Sequence, residues 1–182
     1  MILQQHKIVF AGTMGAGKTE AIRSLSDVPI LQTEAFNTDQ NTHQKLQTTV
    51  GIDYGEIVLE NGTTVGLYGT PGQSRFDFLW PLICKGAVGA VILIDHSCAD
   101  PIAELENYIQ TFQEYTNHIA IGITHADCDP NRSTHIYYDW LQQNNLFNPL
   151  FMIDARKKED ILLLIEALLT SIEINFNIAH SS

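Results

Sequence analysis

Four short apolar runs, at residues 7–12, 88–95, 119–124 and 150–154, punctuate the chain. They are mostly rich in β-branched residues and lack polar alternation, the pattern of strands covered on both faces. Between them, residues 18–25, 101–115, 133–143 and 157–172 read as helices. The last aligns Ile161, Leu164, Ile165, Leu168 and Leu169 on one face, the spacing of a helix lying on a sheet. One stretch breaks the alternation. Residues 52–59 and 64–68 flank Glu60-Asn61-Gly62, and Asn-Gly between apolar strands predicts a hairpin. The resulting order predicts an α/β fold: a mostly parallel sheet of about six strands with one antiparallel edge strand and helices on both faces. Residues 27–50 are polar, contain Pro29 and show little periodicity, which predicts a long functional or mobile loop.

The first predicted strand runs directly into Gly12-Thr13-Met14-Gly15-Ala16-Gly17-Lys18-Thr19, which then opens a helix. This is the G-x-x-x-x-G-K-[ST] spacing in the strand–turn–helix context that gives it meaning. Glycines let backbone N–H groups turn inward around phosphates, and the helix N-terminus adds its dipole. Lys18 supplies a charge to the outer phosphates, and the Thr19 hydroxyl is placed for Mg²⁺. A nucleoside triphosphate with magnesium is the expected ligand, held along Gly12, Met14, Gly15, Ala16, Gly17, Lys18, Thr19 and Glu20.

Charge and composition narrow the ligand's setting. The 182 residues fit one domain spanning 1–182, and 21 acidic against 10 basic side chains give a formal charge of −11. Such a surface repels nucleic acid and anionic lipid, so a nucleotide must be held by a local loop and a metal. Cys84, Cys98 and Cys128 form no disulfide or zinc spacing, which suits a reducing compartment. The N-terminus lacks a signal-peptide layout, Ile2 stands where myristoylation needs glycine, and no C-terminal cysteine offers prenylation. A cytoplasmic protein without a direct membrane anchor is expected.

Four further motifs resemble those of Ras-type small GTPases, in that family's order. Thr48-Thr49 followed by a strand resembles the end of switch I, and Gly69-Thr70-Pro71-Gly72-Gln73 resembles switch II. Thr124-His125-Ala126-Asp127 resembles the guanine-reading motif, and Asp154-Ala155-Arg156 the short loop over the base. The substituted switch II is most similar to the bacterial MglA-like group, which pairs with roadblock-type regulators. The resemblance implies a Ras-like P-loop GTPase fold binding GTP or GDP with Mg²⁺. Thr19 and Thr49 would ligate the metal, and Lys18 and the Gly72 N–H would meet the γ-phosphate. Gln73 would orient the attacking water, Asp127 would read guanine, and Thr124, His125, Ala155 and Arg156 would line the base.

The departures from that pattern carry their own expectations. Gly69 stands where the family has an aspartate that holds a magnesium water, which predicts weaker magnesium. Asp53 and Asp95 are possible substitutes, with Asp95 better read as capping its loop. Met14 replaces a glycine and would crowd Gln73, so slow hydrolysis is expected. Thr124 stands for an asparagine that ties base to phosphate loop, and threonine is expected to be too short for that contact; His125 could stack on the base. The segment 29–47 contains no arginine, and Arg75 is expected to be structural or partner-binding. Phe76, Phe78 and Trp80 divide between core and partner surface. Two other readings remain: a non-hydrolysing nucleotide-binding module, and an ATP-dependent small-molecule kinase.

Overall fold

A computed structural model of the protein describes residues 6–36, 49–59 and 61–180; the side chains of 33–36, 49–50 and 175–180 are not among the features described. The strands are β1 (His6–Ala11), β2 (Leu31–Phe36), β3 (Thr49–Val58), β4 (Thr64–Gly69), β5 (Gly89–Asp95), β6 (Ile119–Thr124) and β7 (Leu150–Met152). The helices are α1 (Lys18–Leu25), α2 (Trp80–Cys84), α3 (Pro101–Phe112), α4 (His135–Gln143) and α5 (Lys158–His180), with a 3-10 helix at Ser74–Leu79 before α2. They form one seven-stranded sheet in the order β2-β3-β4-β1-β5-β6-β7. Every neighbouring pair is parallel except β2–β3 and β3–β4.

The continuous apolar runs are explained by burial on two sides. Along β1, Ile8 and Phe10 join one core while Val9 and Ala11 join the other. Along β5, Val91 and Leu93 face the first core and Ala90, Ile92 and Ile94 the second. Successive strand residues point to opposite faces, so a strand apolar at every position needs a layer of helices on each side. The α1–α5 layer supplies Ile22, Leu25, Ile161, Leu164, Ile165 and Leu168 to the first core. The second takes Trp80, Leu105, Ile109, Phe112, Tyr137 and Leu141. At 20–33 cal/mol per Å², each fully buried Leu, Ile or Phe contributes roughly 1.5–3 kcal/mol, and these two sandwiched layers dominate folding. No described helix is long and apolar enough to cross a membrane.

The structure changes the reading of residues 27–50 in one respect. Leu31–Phe36 is a strand, paired antiparallel with β3 in the register Gln32↔Asp53. It makes the seventh strand, so β3, which runs against its neighbours, lies next to the edge and not at it. As an edge strand it needs an apolar pattern on one side at most, and its Gln32 and Glu34 hid it. Residues 37–48, including Thr48 and Lys45, lie outside the described residues.

Candidate functional site

The parallel strands all end on one side of the sheet, and the loops that follow β1, β5, β6 and β7 meet there, as ligand sites do in open α/β sheets. Gly12 leaves β1 with φ 146°, and a Cβ there would come within 2.3 Å of the Leu93 carbonyl oxygen. Gly17 has φ 99° as α1 begins, and its missing Cβ would stand 2.9 Å from that of Ala155. Both positions need glycine for conformation and for space. The intervening loop curls so that Lys18 lies beneath it. Lys18 is 7% exposed, and its Nζ donates to the Gly12 and Thr13 carbonyls at 2.7 Å each. Burial pulls its ammonium down to about 8, opposed by the charges of Asp53 and Glu104. An anion at the loop would favour the charged form.

Beside Lys18 lies a buried carboxylate. Asp53 on β3 is 7% exposed and in register with Gly69 on β4. The Thr19 hydroxyl donates to its Oδ2 at 2.5 Å, and the Gln32 amide donates to its Oδ1 at 3.0 Å. A Cβ on residue 69 would sit 3.1 Å from the Asp53 Cβ and 3.3 Å from Oδ2. Glycine at 69 therefore makes the room that Asp53 fills. A carboxylate stands next to the Thr19 hydroxyl after all, delivered by the neighbouring strand. Asp95, the other candidate, accepts from the Ser97 amide at 2.8 Å and hydroxyl at 2.6 Å, and so caps its own loop. Burial opposes ionisation of Asp95, but those bonds and nearby His125 outweigh it and hold the carboxyl low.

A cavity of about 340 Å³ adjoins this cluster, lined by residues including Lys18, Thr19, Gln32, Asp53, Thr70 and Gly72. Thr70 is buried, and its hydroxyl has no hydrogen-bond partner among the described residues. Buried polar groups are ordinarily paired, so this one points to a ligand or its water. A magnesium–phosphate group fits the set: hard oxygen donors from Thr19 and Asp53, a lysine, and a glycine-rich loop at a helix N-terminus. Thr49 is in β3, and its side chain lies outside the described features.

The segment after β4 packs onto the glycine-rich loop. The Met14 amide donates to the Gly72 carbonyl at 3.1 Å. A Cβ on residue 72 would strike the Met14 backbone at 2.5 Å and Lys18 Nζ at 2.8 Å, so only glycine permits the approach. In this arrangement Gly72 meets the loop through its carbonyl. Gln73 lies alongside, its amide 3.8 Å from the Met14 sulfur. Met14 itself is 72% exposed. Arg75 lies over the Phe76 ring, 4.8 Å from its centroid. Of the aromatic cluster, Phe76 and Trp80 are core while Phe78 is 67% exposed, with Leu82 exposed nearby. Opposite Gln73, Glu104 on α3 accepts from the Thr13 hydroxyl at 3.1 Å.

On the other side of the loop, a cavity of about 580 Å³ is lined by Gly15, Glu20, Thr124, His125, Asp127, Ala155 and Arg156, among others. Thr124 reaches the loop: its hydroxyl lies 3.1 Å from the Ala16 carbonyl and 3.2 Å from that of Ile94. The phosphate loop packs so tightly on β6, through Gly17, that a hydroxyl reaches where a longer amide is usual. His125 has φ 55°, and its Nδ1 lies 3.2 Å from Asp95 and 3.3 Å from the Thr124 hydroxyl, a placement beside the loop. Arg156 donates two hydrogen bonds to Asp154, at 2.9 and 2.8 Å, and holds that carboxyl well below the usual range. Glu20 turns outward to pair with Arg23. Ala16 is fully buried, and Ala155 closes against Gly17.

Gln32, Asp53 as the Thr19 partner, and Thr70 are the site residues that motif spacing undervalued. The signal for Asp53 was a lone carboxylate in an apolar strand opposite a glycine where an acid is usual; Gln32 carried none.

Among known proteins, the chain is 26% identical over 117 residues to Ras-related protein Rab-18-B of Danio rerio, covering 63% of this chain and 51% of that one. It is 27% identical over 166 residues to the protein named "Uncharacterized protein MJ1339" of Methanocaldococcus jannaschii, covering 90% and 95%. It is 26% identical over 132 residues to Ras-related protein RHN1 of Nicotiana plumbaginifolia, covering 69% and 60%. The chain thus spans 51–60% of the length of these two Ras-related relatives. No protein-family model matches it. Distant as they are, the similarities to Ras-related proteins, on a seven-stranded sheet of this topology, support a Ras-like small GTPase.

Proposed function

We propose that residues 1–182 form one G domain that binds GTP and GDP with magnesium and acts as a slow molecular switch of the MglA-like kind. One observation carries the reading: the Thr19–Asp53 bond beside Lys18, which puts a carboxylate next to the Thr19 hydroxyl despite Gly69. Thr19, with Thr49, would ligate magnesium, and Asp53 would orient Thr19 and a metal-bound water. Bound there, the metal neutralises charge on the phosphates. Lys18 takes up the outer phosphate charge as the loop amides close around it. Asp127 accepts from the guanine ring N–H and amino group, a bidentate pairing that adenine cannot offer. Thr124 ties that half of the site to Ala16, and Ala155 and Arg156 cover the base.

Gln73 orients the attacking water, since phosphoryl transfer depends mainly on positioning and charge stabilisation. Met14 occupies Gln73, and that contact supports slow turnover. Release of γ-phosphate frees the segments at Thr49 and Gly72, and a protein partner, of the roadblock type in the MglA-like reading, reads the exposed Phe78 and Leu82. A cytoplasmic location accords with this role. The Met14–Gln73 contact also supports a second reading, a binding module that does not hydrolyse. The antiparallel β3 and the scarcity of arginine speak against a small-molecule kinase.

The test is to identify any nucleotide that copurifies, compare GTP with ATP affinity, and follow phosphate release with and without magnesium. GTP preference with slow, magnesium-dependent release is expected, and Met14→Gly should accelerate it about tenfold, or 1.4 kcal/mol off the barrier. ATP preference would overturn the assignment of Asp127. Tight GTP binding without release in either protein would favour the binding module.

A further inference from the structure

We propose that Gln32, on the edge strand, is a positioning residue for the magnesium shell: it fixes the rotation of the Asp53 carboxylate that serves Thr19. The proposal rests on the reading of this cavity as a magnesium–nucleotide site. Gln32, Asp53 and Gly69 stand in register across β2, β3 and β4. Registered residues on adjacent strands share a face with Cβ atoms about 5 Å apart, so an amide on one strand reaches the carboxylate on the next. The two oxygens of Asp53 are held from separate elements, Oδ1 by Gln32 at 3.0 Å and Oδ2 by Thr19 at 2.5 Å.

That division matters because the last torsion of an aspartate is broad and roughly two-fold. With Thr19 alone, the carboxylate can turn about its one anchored oxygen. With Gln32 on Oδ1, the direction of Oδ2 is set. Gly69, the third member of the row, has no side chain to help. A neutral amide suits the task. A lysine at 32 would repel a cation in the same cavity, and a glutamate would repel Asp53. The unpartnered Thr70 hydroxyl lines this cavity too, so its wall has polar capacity still unused, as a hydrated ion requires. The edge strand therefore adds an element to the metal shell that the motifs along the chain do not encode.

The experiment uses the full chain loaded with fluorescent mant-GDP, whose release is followed from micromolar to millimolar magnesium. Wild type, Gln32→Met and Asp53→Asn are compared, together with the rise in unfolding temperature that magnesium produces. Gln32→Met keeps length and volume but cannot donate. Losing one hydrogen bond to this buried carboxylate should raise the half-saturating magnesium about three- to tenfold. Release at saturating magnesium should match wild type, while the unfolding temperature in EDTA falls modestly because a buried carboxylate loses one donor. Asp53→Asn should shift the magnesium dependence further.

A Gln32→Met protein with wild-type magnesium dependence, while Asp53→Asn shifts, overturns the proposal and leaves the site reading standing. Faster release that saturating magnesium does not restore also overturns it, because Gln32 would then be general scaffolding. If wild type itself shows no magnesium dependence, the underlying site reading fails and the proposal with it.

Discussion

Gly69→Asp restores the carboxylate that Ras-type proteins carry at this point of switch II, and here it should damage the site. A Cβ at 69 lies 3.1 Å from the Asp53 Cβ and 3.1 Å from Ile22 Cδ1, already tight before any carboxylate is added. The new carboxylate would fall within about 4 Å of that of Asp53, where two like charges repel by about 4 kcal/mol at an effective dielectric of 20. That equals about three pK units, so one of the pair must take up a proton near neutral pH or the strands must part. Crowding against Ile22 adds about 1–3 kcal/mol. In urea unfolding with EDTA, the variant should lose roughly 3–5 kcal/mol, the repulsion being partly relieved by relaxation. The decisive measurement is a double-mutant cycle. Asp53→Asn/Gly69→Asp removes the repulsion and returns a carboxylate to the metal side, so it should recover at least 2 kcal/mol of the loss and much of the magnesium dependence of mant-GDP release. A Gly69→Asp protein as stable as wild type with Asp53 in place would refute the reasoning. So would a double variant that recovers nothing.

Other outcomes follow from the packing. Thr124→Val keeps shape but removes the hydroxyl that donates towards the Ala16 carbonyl, so stability should fall by about 1–3 kcal/mol and nucleotide release should quicken; unchanged release would show that the tie does not hold the loop. Gly55→Ala puts a Cβ 2.7 Å from Ser26 Oγ and 2.9 Å from Ile22 Cγ2, which should cost about 1–3 kcal/mol in urea unfolding without altering the choice of nucleotide. Burial and the charge of Glu104 push the Cys98 thiol up to about 11. Its alkylation should therefore be slow at neutral pH and rise about tenfold per pH unit towards 11, as mass spectrometry of labelled peptides would show.

Much of this molecule is legible in its sequence because the information is local. Lys18–Leu25 and Ile119–Thr124 fall where periodicity predicts them, since a buried strand or a one-faced helix writes its environment into its own residues. The phosphate loop is equally legible, as Gly12 and Gly17 meet backbone demands that only glycine satisfies. What was hidden depends on neighbours distant in the chain. Gln32 lies in a polar stretch that reads as loop, and only pairing with β3 reveals it. The reach of Thr124 depends on how closely Gly17 lets the phosphate loop approach β6, which no spacing of letters reports. Asp53 sits between the two cases: its residue type made it a candidate, but its register with Gly69 and its bond to Thr19 appear only in the fold.

The displacement of that carboxylate from 69 to 53 separates two duties that one segment would otherwise perform together. In the proposed switch, the stretch from Thr70 through the 3-10 helix must move when nucleotide changes, while a metal shell works best on a fixed support. Here the acid rides on β3, flanked by strands on both sides and backed by Ile22, and the moving loop is left with a glycine at its root. In the proposed switch, retention of the ion and exposure of the partner surface would thereby become separable. In that proposal, changes that loosen the 3-10 helix would alter the partner surface more than the metal shell, and changes in the β2–β3 pair would retune metal retention more than the partner surface.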